Sequence, residues 1–358
     1  MPTRMFRLLE TLSRPAIALL AALLVGAVVI AFVQHSATAP FAAYAALFRG
    51  AGGDATAWSN TLARTTPLLL TGAAVAVALA AGLFNIGAEG QLVVGALAAA
   101  VAGYSLKTVP APIVLTLSLI CGMAAGAVWA FLPAFLKVKR GTHEVITAIL
   151  LNYIAQNTTR YLATVPLKDP SGQVPQTPEV TALLPRLSPA YDVTWGLPIT
   201  LIAVIFVALA LRGTVWGFET RAVGAGAGAA EASGVFVDRV RMRAMLLSGA
   251  LAGLAGAVTI LGEVPFRRFP ADLYGIGYGF DGLAVALLAS GSLWGVLPSA
   301  LLFGGLGAGA EAMAFEVGTP KQIVSVVQAI LIVAVAARLV IKRRAAMPAT
   351  AKIEGAET

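Results

Sequence analysis

Long apolar stretches, separated by short segments rich in glycine, proline and charged residues, follow one another along almost the whole chain. Nine of these stretches have 17 or more residues, close to or above the about 18 that predict a transmembrane helix, and a tenth has 14. The pattern predicts an all-α polytopic membrane protein with about ten transmembrane helices, at residues 16–33, 65–84, 86–104, 111–136, 144–163, 196–212, 244–262, 277–290, 293–313 and 322–341.

The distribution of basic residues predicts how the spans are oriented. Four regions, the N-terminus, the 137–140 turn, the 212–243 loop and the C-terminal tail from Arg338, hold 16 of the 25 Lys and Arg residues. All four fall on one side of the ten-span map, and cytoplasmic loops carry the excess of basic residues. The predicted organisation is a cytoplasmic N-terminus at 1–15, a transmembrane domain at 16–341 with a cytoplasmic loop at 212–243 and an extracytoplasmic loop at 164–195, and a cytoplasmic tail at 342–358.

Two short patterns occur once in each half of the chain. LLTGA at 69–73 matches LLSGA at 246–250, and GAEG at 87–90 matches GFDG at 279–282. Spans 2–5 and 7–10 are therefore predicted to be two copies of one unit. Each span of the second copy comes five spans after its counterpart in the first. Because five is an odd number, the two copies are predicted to cross the membrane in opposite senses. Such inverted repeats place a shared ligand site near the middle of the bilayer.

Glu89 and Asp281 lie inside these matching glycine-flanked patterns, at hydrocarbon depth. A carboxylate there costs roughly 2.5–3.5 kcal/mol on insertion scales unless it faces water or a partner. One interpretation is that both acids line a hydrated route through the bundle. The other is that they cap the N-termini of interrupted helices, where backbone N–H groups lack partners. The sequence leaves both interpretations open.

The composition excludes several classes of function. The chain is 58% hydrophobic and 12% charged, with one Cys and two His, and it contains no HExxH, CxxC or GxSxG motif. The Gly-rich segment 224–228 lacks the Lys-Ser/Thr of a nucleotide-binding loop. The net charge of +8 is spread over loops and is explained by membrane orientation, so lipid rather than nucleic acid is the expected surface partner. No metal, cofactor or catalytic residue is predicted.

The loop between spans 6 and 7 has a second informative segment. Residues 219–233 are Ala-rich with polar ends and are followed by Gly234, a pattern that predicts a short helix ended by glycine. The segment is either an ordinary basic cytoplasmic loop or a docking element for a cytoplasmic partner.

Several segments carry a family resemblance over roughly residues 60–341. They resemble the permeases of bacterial ABC transporters of the branched-chain amino acid, ribose and nucleoside group, and specifically its nucleoside and simple-sugar branch. The segments are FNIGAEGQLVVGALAA (84–99), GTHEVITAILLNYIA (141–155), ETRAVGAGAGAAEASGVFVDRVRMRAMLLSGALAGLAGA (219–257), GYGFDGLAVALLA (277–289) and SVVQAILIVAVAA (325–337).

The resemblance implies a permease subunit of an ATP-driven importer in the bacterial plasma membrane, most simply for nucleosides. It also implies a second permease subunit, two ATPase subunits that bind the ATP, and an extracytoplasmic substrate-binding protein. The residues expected to couple to the ATPase are Glu219, Arg221, Ala222, Gly224, Glu231 and Gly234.

A nucleoside offers an apolar ring face and a rim of hydrogen-bonding groups, which aromatic, amide and carboxylate side chains can bind. The residues expected along the substrate path are Asn85, Glu89, Gln91, Asn152, Tyr278, Phe280 and Asp281. Two rival functions stay open: a proton-coupled secondary transporter that uses Glu89 and Asp281, and a membrane-embedded enzyme or scaffold.

Overall fold

A computed structural model describes residues 19–262 and 266–333 of the chain. Four predicted parts of the chain lie outside the described residues: the N-terminus at 1–15, the outer ends of the first and tenth spans at 16–18 and 334–341, and the tail at 342–358.

The described residues form helices joined by turns and by one long connection at 165–195. The first half contributes α1 (Leu19–Val33), α2 (Ala39–Gly52), α3 (Ala55–Ala80), α4 (Ala88–Ser105), α5 (Ala111–Arg140) and α6 (Glu144–Thr164). The second half contributes α7 (Gly196–Gly213), α8 (Val215–Ala225), α9 (Ala227–Ala232), α10 (Val237–Gly262), a 3₁₀ helix (Leu273–Ile276), α11 (Tyr278–Leu288), α12 (Leu293–Val317) and α13 (Gln322–Val333).

Within the described residues, each of the ten predicted spans overlaps a helix, and the prediction of an all-α polytopic membrane protein is confirmed. Five helices, α3, α5, α7, α10 and α12, are long and apolar enough to cross a membrane. Within residues 19–262 and 266–333, two isolated bridges are the only strand-like pairing.

Local sequence explains where several helices begin and end. The Asp54 side chain accepts a hydrogen bond from the Ala57 N–H (2.7 Å) and so caps α3. Pro110 immediately precedes α5, where its missing N–H costs nothing. Gly141 ends α5 with a φ of 63°, a left-handed conformation that glycine adopts without strain.

Helices α3 and α10 form the centre of the bundle. In their most apolar windows 78% and 83% of residues are buried, against 28% for α5 and 33% for α7. Helix α10 packs against α3, α4 and α5, and α11 packs against α3. In the predicted repeat, α3 corresponds to α10 and α4 corresponds to α11. A twofold relation then requires that α3 contact α11 if α10 contacts α4, and both contacts are present. The opposite directions of the two copies stay a prediction.

Glycines permit the closest of these contacts. A methyl group on Gly253 of α10 would overlap the backbone of Gly122 and Gly126 on α5, and one on Gly304 of α12 would overlap Thr65 of α3. Close backbone approach through small residues is the usual way that helices associate in lipid.

Two compact units share the chain, and residues 51–308 form the larger one, which contains the site described below. The smaller unit comprises residues 1–50 and 309–358. In its described part, the Arg49 guanidinium pairs with Glu316 (2.6 Å) and the Gln34 amide donates to the Thr319 hydroxyl (2.6 Å). The Tyr44 hydroxyl donates to the Leu23 carbonyl.

A strap, defined here as residues 169–180 of the predicted extracytoplasmic loop, pairs with the chain that leads into α11. The Thr177 N–H donates to the Phe269 carbonyl (3.1 Å), and the Arg268 guanidinium forms ion pairs with Asp169 and Glu179. Hydrogen bonds from the Ser171 hydroxyl and N–H, and the charge of Arg268, hold the pKa of Asp169 below its usual range. The strap thereby anchors the segment in front of α11.

Candidate functional site

The two glycine-flanked acidic patterns meet in the interior of the larger unit. Helix α4 begins at Ala88 and α11 begins at Tyr278, each directly after an irregular turn. Gly277 makes the turn into α11 with a φ of 79°. A methyl group on Gly279 would overlap the backbone of Glu89. The start of one helix therefore lies directly against the start of the other.

Glu89 joins these two helix starts. Its side chain is fully buried, and its Oε2 accepts hydrogen bonds from the N–H groups of Gly279 (2.6 Å) and Phe280 (3.3 Å). These N–H groups belong to the first turn of α11, where they have no partner within the helix. Glu89 also lies in the first turn of its own helix α4, so one carboxylate serves two positive helix ends. The capping geometry is thus present, and it links the two predicted repeats.

The second oxygen of this carboxylate, Glu89 Oε1, is buried and has no hydrogen-bond partner among the described residues. Such groups are rare in native interiors and call for an explanation.

Asn85 and Gln91 form a buried amide pair on one side of the junction. The Asn85 amide donates to Gln91 Oε1 (2.8 Å), and the Gln91 amide donates back to Asn85 Oδ1 (3.1 Å). The Asn85 amide also donates to the Ser248 hydroxyl (2.8 Å), which donates to the Ala74 carbonyl (2.6 Å). This network connects the turn before α4 to α3 and α10. The amides of Asn85 and Gln91, which the sequence analysis expected to bind substrate, are therefore hydrogen-bonded within the protein.

Asn152 bridges α6 to the start of α4. Its Oδ1 accepts from the Gly90 N–H (3.0 Å), and its amide donates to the Ile86 carbonyl (3.0 Å). The side chain is 1% exposed, so its hydrogen-bonding groups are used inside the bundle.

The other side of the junction is aromatic and partly open. Tyr278 is buried, whereas Phe280 is 41% exposed and the neighbouring Asp281 is half-buried. The Tyr274 ring meets the Phe280 ring edge-to-face, with centroids 6.1 Å apart. No described residue makes a hydrogen bond or ion pair with the Asp281 carboxylate. Of the predicted path residues, Phe280 and Asp281 are the ones accessible in this chain.

Sequence reasoning missed Ser248 and Tyr274. Ser248 occupies the repeated LLSGA pattern. Tyr274 packs edge-to-face against Phe280, a relationship that no sequence spacing indicates. Within the described residues, no group of three His, Cys, Asp or Glu side chains is placed to hold a metal ion.

The predicted docking segment forms two helices rather than one helix over 219–233. Gly226 separates α8 from α9 with extended backbone (φ −179°, ψ 101°), because three glycines within 224–228 give this stretch low helix propensity. The prediction that the helical segment ends at a glycine is confirmed. Gly234 follows α9 with a left-handed φ of 84°, and the Val235 N–H donates to the Ala230 carbonyl (3.0 Å).

The six predicted coupling residues divide into two groups. Arg221, Gly224, Glu231 and Gly234 are exposed, and Glu219 and Ala222 are half-buried. A methyl group on Gly224 would overlap the carbonyl of Ala80 at the end of α3. Helix α8 therefore rests directly on a central helix of the bundle.

A polytopic bundle whose interrupted helices meet at a buried carboxylate has the architecture of a membrane transport protein. Residues 57–336 match the family described as "Branched-chain amino acid transport system / permease component". The chain belongs to this family, which confirms the resemblance drawn from its motifs, and it is a multi-pass permease component.

Individual relatives cover the chain to different extents. The "Guanosine ABC transporter permease protein NupP" of Bacillus subtilis (strain 168) is 37% identical over 94% of this chain and 97% of its own length. The "Glucose ABC transporter permease protein TsgB13" of Haloferax volcanii is 35% identical over 89% of this chain and 85% of its own length. The "Guanosine ABC transporter permease protein NupQ", also of Bacillus subtilis, is 26% identical over 68% of this chain and 78% of its own length.

Proposed function

We propose that the chain is one of two permease subunits of an ATP-binding-cassette importer in the bacterial plasma membrane, and that its solute is a nucleoside. Separate ATPase subunits hydrolyse the ATP, and an extracytoplasmic binding protein delivers the solute. The near full-length similarity to a relative named as a guanosine permease supports this solute class. A simple sugar is the second candidate, because a relative named as a glucose permease is almost as similar.

The observation that carries the proposal is the open side of the helix junction. Phe280 presents an exposed ring beside Asp281, whose carboxylate has no ion-pair partner among the described residues, at the start of an interrupted helix. A nucleoside has a flat apolar base for the ring and hydroxyl donors for the carboxylate. This combination favours a nucleoside over a sugar, which has no aromatic face.

Coupling to the ATPases is proposed to pass through α8. Exposed charges of the loop, Arg221 and Glu231, contact the ATPase, and Gly224 transmits its movement to the end of α3. Helix α3 packs against α11, whose start is held by Glu89. Each step is a direct packing contact between helices, so movement of α8 shifts α11 relative to α4 and opens the site alternately to each side.

The second permease is proposed to be a related but different chain. Two guanosine permeases of Bacillus subtilis are among the relatives, and the match covers 94% of this chain for NupP but only 68% for NupQ. That asymmetry supports a NupP-like role here, with a NupQ-like partner.

The proton-coupled alternative has less support. The relatives bear the names of ABC transporter permeases, and Glu89 is engaged at two helix starts rather than placed in an open route. The membrane-enzyme alternative gains no support from these relatives either.

The test is to tag the chain in its native host, purify the complex in mild detergent and identify its subunits by mass spectrometry. The proposal expects a second permease and an ATPase, with ATP hydrolysis stimulated by a nucleoside-loaded binding protein. Purification of the chain without an ATPase would contradict it.

A further inference from the structure

The first turns of α10 join the proposed coupling segment to the helix bundle. Val240 is buried in a small apolar cluster with Val223 of α8 and Ala230 of α9. Met245, further along α10, is buried in a second cluster with residues at the end of α3 and on α5. Because both contacts are closely packed, movement of α8 and α9 is expected to carry the start of α10 with it.

A narrow cleft beside the second cluster brings three charged side chains together. Arg241 lies one turn before Met245 on the same side of α10. It lines the cleft together with Lys137, near the end of α5, and Glu144, at the start of α6. The remaining lining residues are apolar. Two cations and one carboxylate therefore share one partly buried space.

The Glu144 carboxylate is paired with only one of the two cations. Lys137 Nζ lies 2.8 Å from Glu144 Oε2, and the two side chains are 27% and 14% exposed. Arg241 Nε, in contrast, is buried and has no hydrogen-bond partner among the described residues. A buried donor without an acceptor is destabilising, most of all on a charged group. A carboxylate that moved from Lys137 to Arg241 would satisfy this donor.

The corner between α5 and α6 permits such a movement, and α6 extends its effect to the helix junction. Gly141 forms the corner with a φ of 63°, and a methyl group there would meet nothing within 4 Å. Further along α6, Asn152 holds the start of α4 through the Gly90 N–H (3.0 Å) and the Ile86 carbonyl (3.0 Å). Displacement of α6 is therefore expected to displace the start of α4.

We propose that Lys137, Glu144 and Arg241 form a charge latch, in which the Glu144 carboxylate exchanges Lys137 for Arg241 when α8 and α9 move. The latch gives the ATPases a second route into the bundle, through α10 and α6 to the start of α4, beside the route through α8 and α3. It rests on the ATPase coupling proposed above, and it assigns a role to three residues outside the predicted coupling set.

The first test measures the distance between the starts of α6 and α10 by pulsed electron paramagnetic resonance. The complete transporter is placed in lipid nanodiscs, and distances are recorded without nucleotide and during ATP turnover. Cys121 is first changed to alanine. Spin labels are then attached to Ile146→Cys and Arg243→Cys, at two exposed positions.

The two cation variants are expected to shift this distance in opposite directions. Lys137→Gln removes the present partner of Glu144 and is expected to raise the population with the shorter distance about threefold, the effect of losing one partly exposed ion pair. Arg241→Gln is expected to abolish that population. Lys139→Gln changes an exposed residue two positions beyond Lys137 and is the matched control, expected to leave the distances unchanged.

Distances that are the same in the wild type, Lys137→Gln and Arg241→Gln would overturn the latch. A shift in the same direction in both variants would show a merely structural role for the two cations and would also overturn it. ATP hydrolysis is measured first on the same samples. Absence of an ATPase and of hydrolysis refutes the proposed importer, whereas hydrolysis with unchanged distances refutes only the latch.

The second test measures the ratio of solute moved to ATP hydrolysed in reconstituted vesicles. Arg241→Gln and Glu144→Gln are each expected to lower this ratio, and the double variant is expected to lower it no further, because both changes remove the same ion pair. Arg241→Lys keeps a cation and is expected to retain most of the ratio. Size-exclusion chromatography verifies that each variant assembles. Reductions that multiply in the double variant would show that the two residues act independently and would contradict the exchange.

Discussion

The carboxylate of Glu89 and the backbone N–H of Gly279 form a 2.6 Å hydrogen bond across 190 positions of sequence. The bond connects the acidic pattern of the first predicted repeat to the start of the interrupted helix in the second. Through this one side chain, α4 and α11 share a cap. The bond therefore fixes the position of Phe280 and Asp281, the accessible residues of the proposed site.

Removing the Glu89 carboxylate is expected to destabilise this junction. Glu89→Ala leaves the N–H groups of Gly279 and Phe280 buried without an acceptor, at a cost of about 1–3 kcal/mol for each unsatisfied group. Glu89→Gln keeps an amide oxygen as acceptor, so the assembled complex is expected to persist with reduced uptake. Thermal unfolding in detergent and uptake in vesicles measure the two effects. Equal stability of Glu89→Ala and the wild type would show that the cap is unimportant.

Asp281→Asn is expected to reduce uptake while leaving the complex folded. Asp281 has no described hydrogen-bond partner to lose, and an acid in the first turn of a helix contributes only about 0.3–1 kcal/mol through the helix dipole. Size-exclusion chromatography and uptake assays separate assembly from transport. Loss of the folded complex would show that Asp281 has a structural role.

Gly279→Ala is expected to disturb the contact between the two helix starts. Its methyl group would overlap the Glu89 backbone, and overpacking of this kind costs about 1–3 kcal/mol. Gly275→Ala is the matched control, because a methyl group there meets nothing within 4 Å. Melting temperatures of the two variants measure the difference. A larger loss for Gly275→Ala would contradict the described packing.

Changes in the α8 region are expected to uncouple ATP hydrolysis from transport. Gly224→Ala forces α8 away from the Ala80 carbonyl, whereas Gly228→Ala, in the same loop, meets open space. Charge reversal at Arg221 or Glu231 is expected to weaken contact with the ATPase. The ratio of solute moved to ATP hydrolysed, measured in reconstituted vesicles, reports coupling. An unchanged ratio in Gly224→Ala and in both charge reversals would remove this loop from the mechanism.

The strap is expected to contribute stability that depends on pH. The pKa of Asp169 is lower in the folded protein than its usual value of about 3.9, so its contribution is present above about pH 4 and is lost as the pH falls through the lowered value. Asp169→Asn is therefore expected to lower the melting temperature at neutral pH, with the difference from wild type shrinking in acid. The exposed Asp272, in the chain that leads into α11, provides a control, Asp272→Asn. A melting-temperature difference between Asp169→Asn and the wild type that grows in acid would contradict the lowered pKa of Asp169.

The sequence predicted the helices better than it predicted the use of their polar residues. Apolar runs locate a helix at each of the ten predicted positions, and five of these helices are long and apolar enough to cross a membrane, because burial in lipid requires apolar side chains over the whole length of a helix. The same rule marks Asn85, Gln91 and Asn152 as exceptional without indicating why they are there. A polar group that ties a turn to a neighbouring helix and one that binds solute are equally unusual in an apolar run. Only their partners, Ser248 and the backbone of α4, distinguish them.

Contacts between distant parts of the chain were beyond the reach of sequence patterns. Glu89 was predicted to cap a helix or to line a route, but the helix it caps lies in the other half of the chain. Tyr274 precedes α11 without belonging to any motif, and its edge-to-face contact with Phe280 depends on the turn between the two residues. Gly226 was expected inside a helix because the alanines around it favour helix, and the neighbouring glycines outweigh them.

The most direct test of the importer assignment is the energy source of uptake. Vesicles containing the complete transporter and a guanosine-loaded binding protein are supplied with ATP or with a proton gradient alone. We expect guanosine to accumulate only with ATP and to be unaffected by a protonophore. Accumulation that requires the proton gradient and persists without ATP would contradict the assignment and restore the proton-coupled alternative.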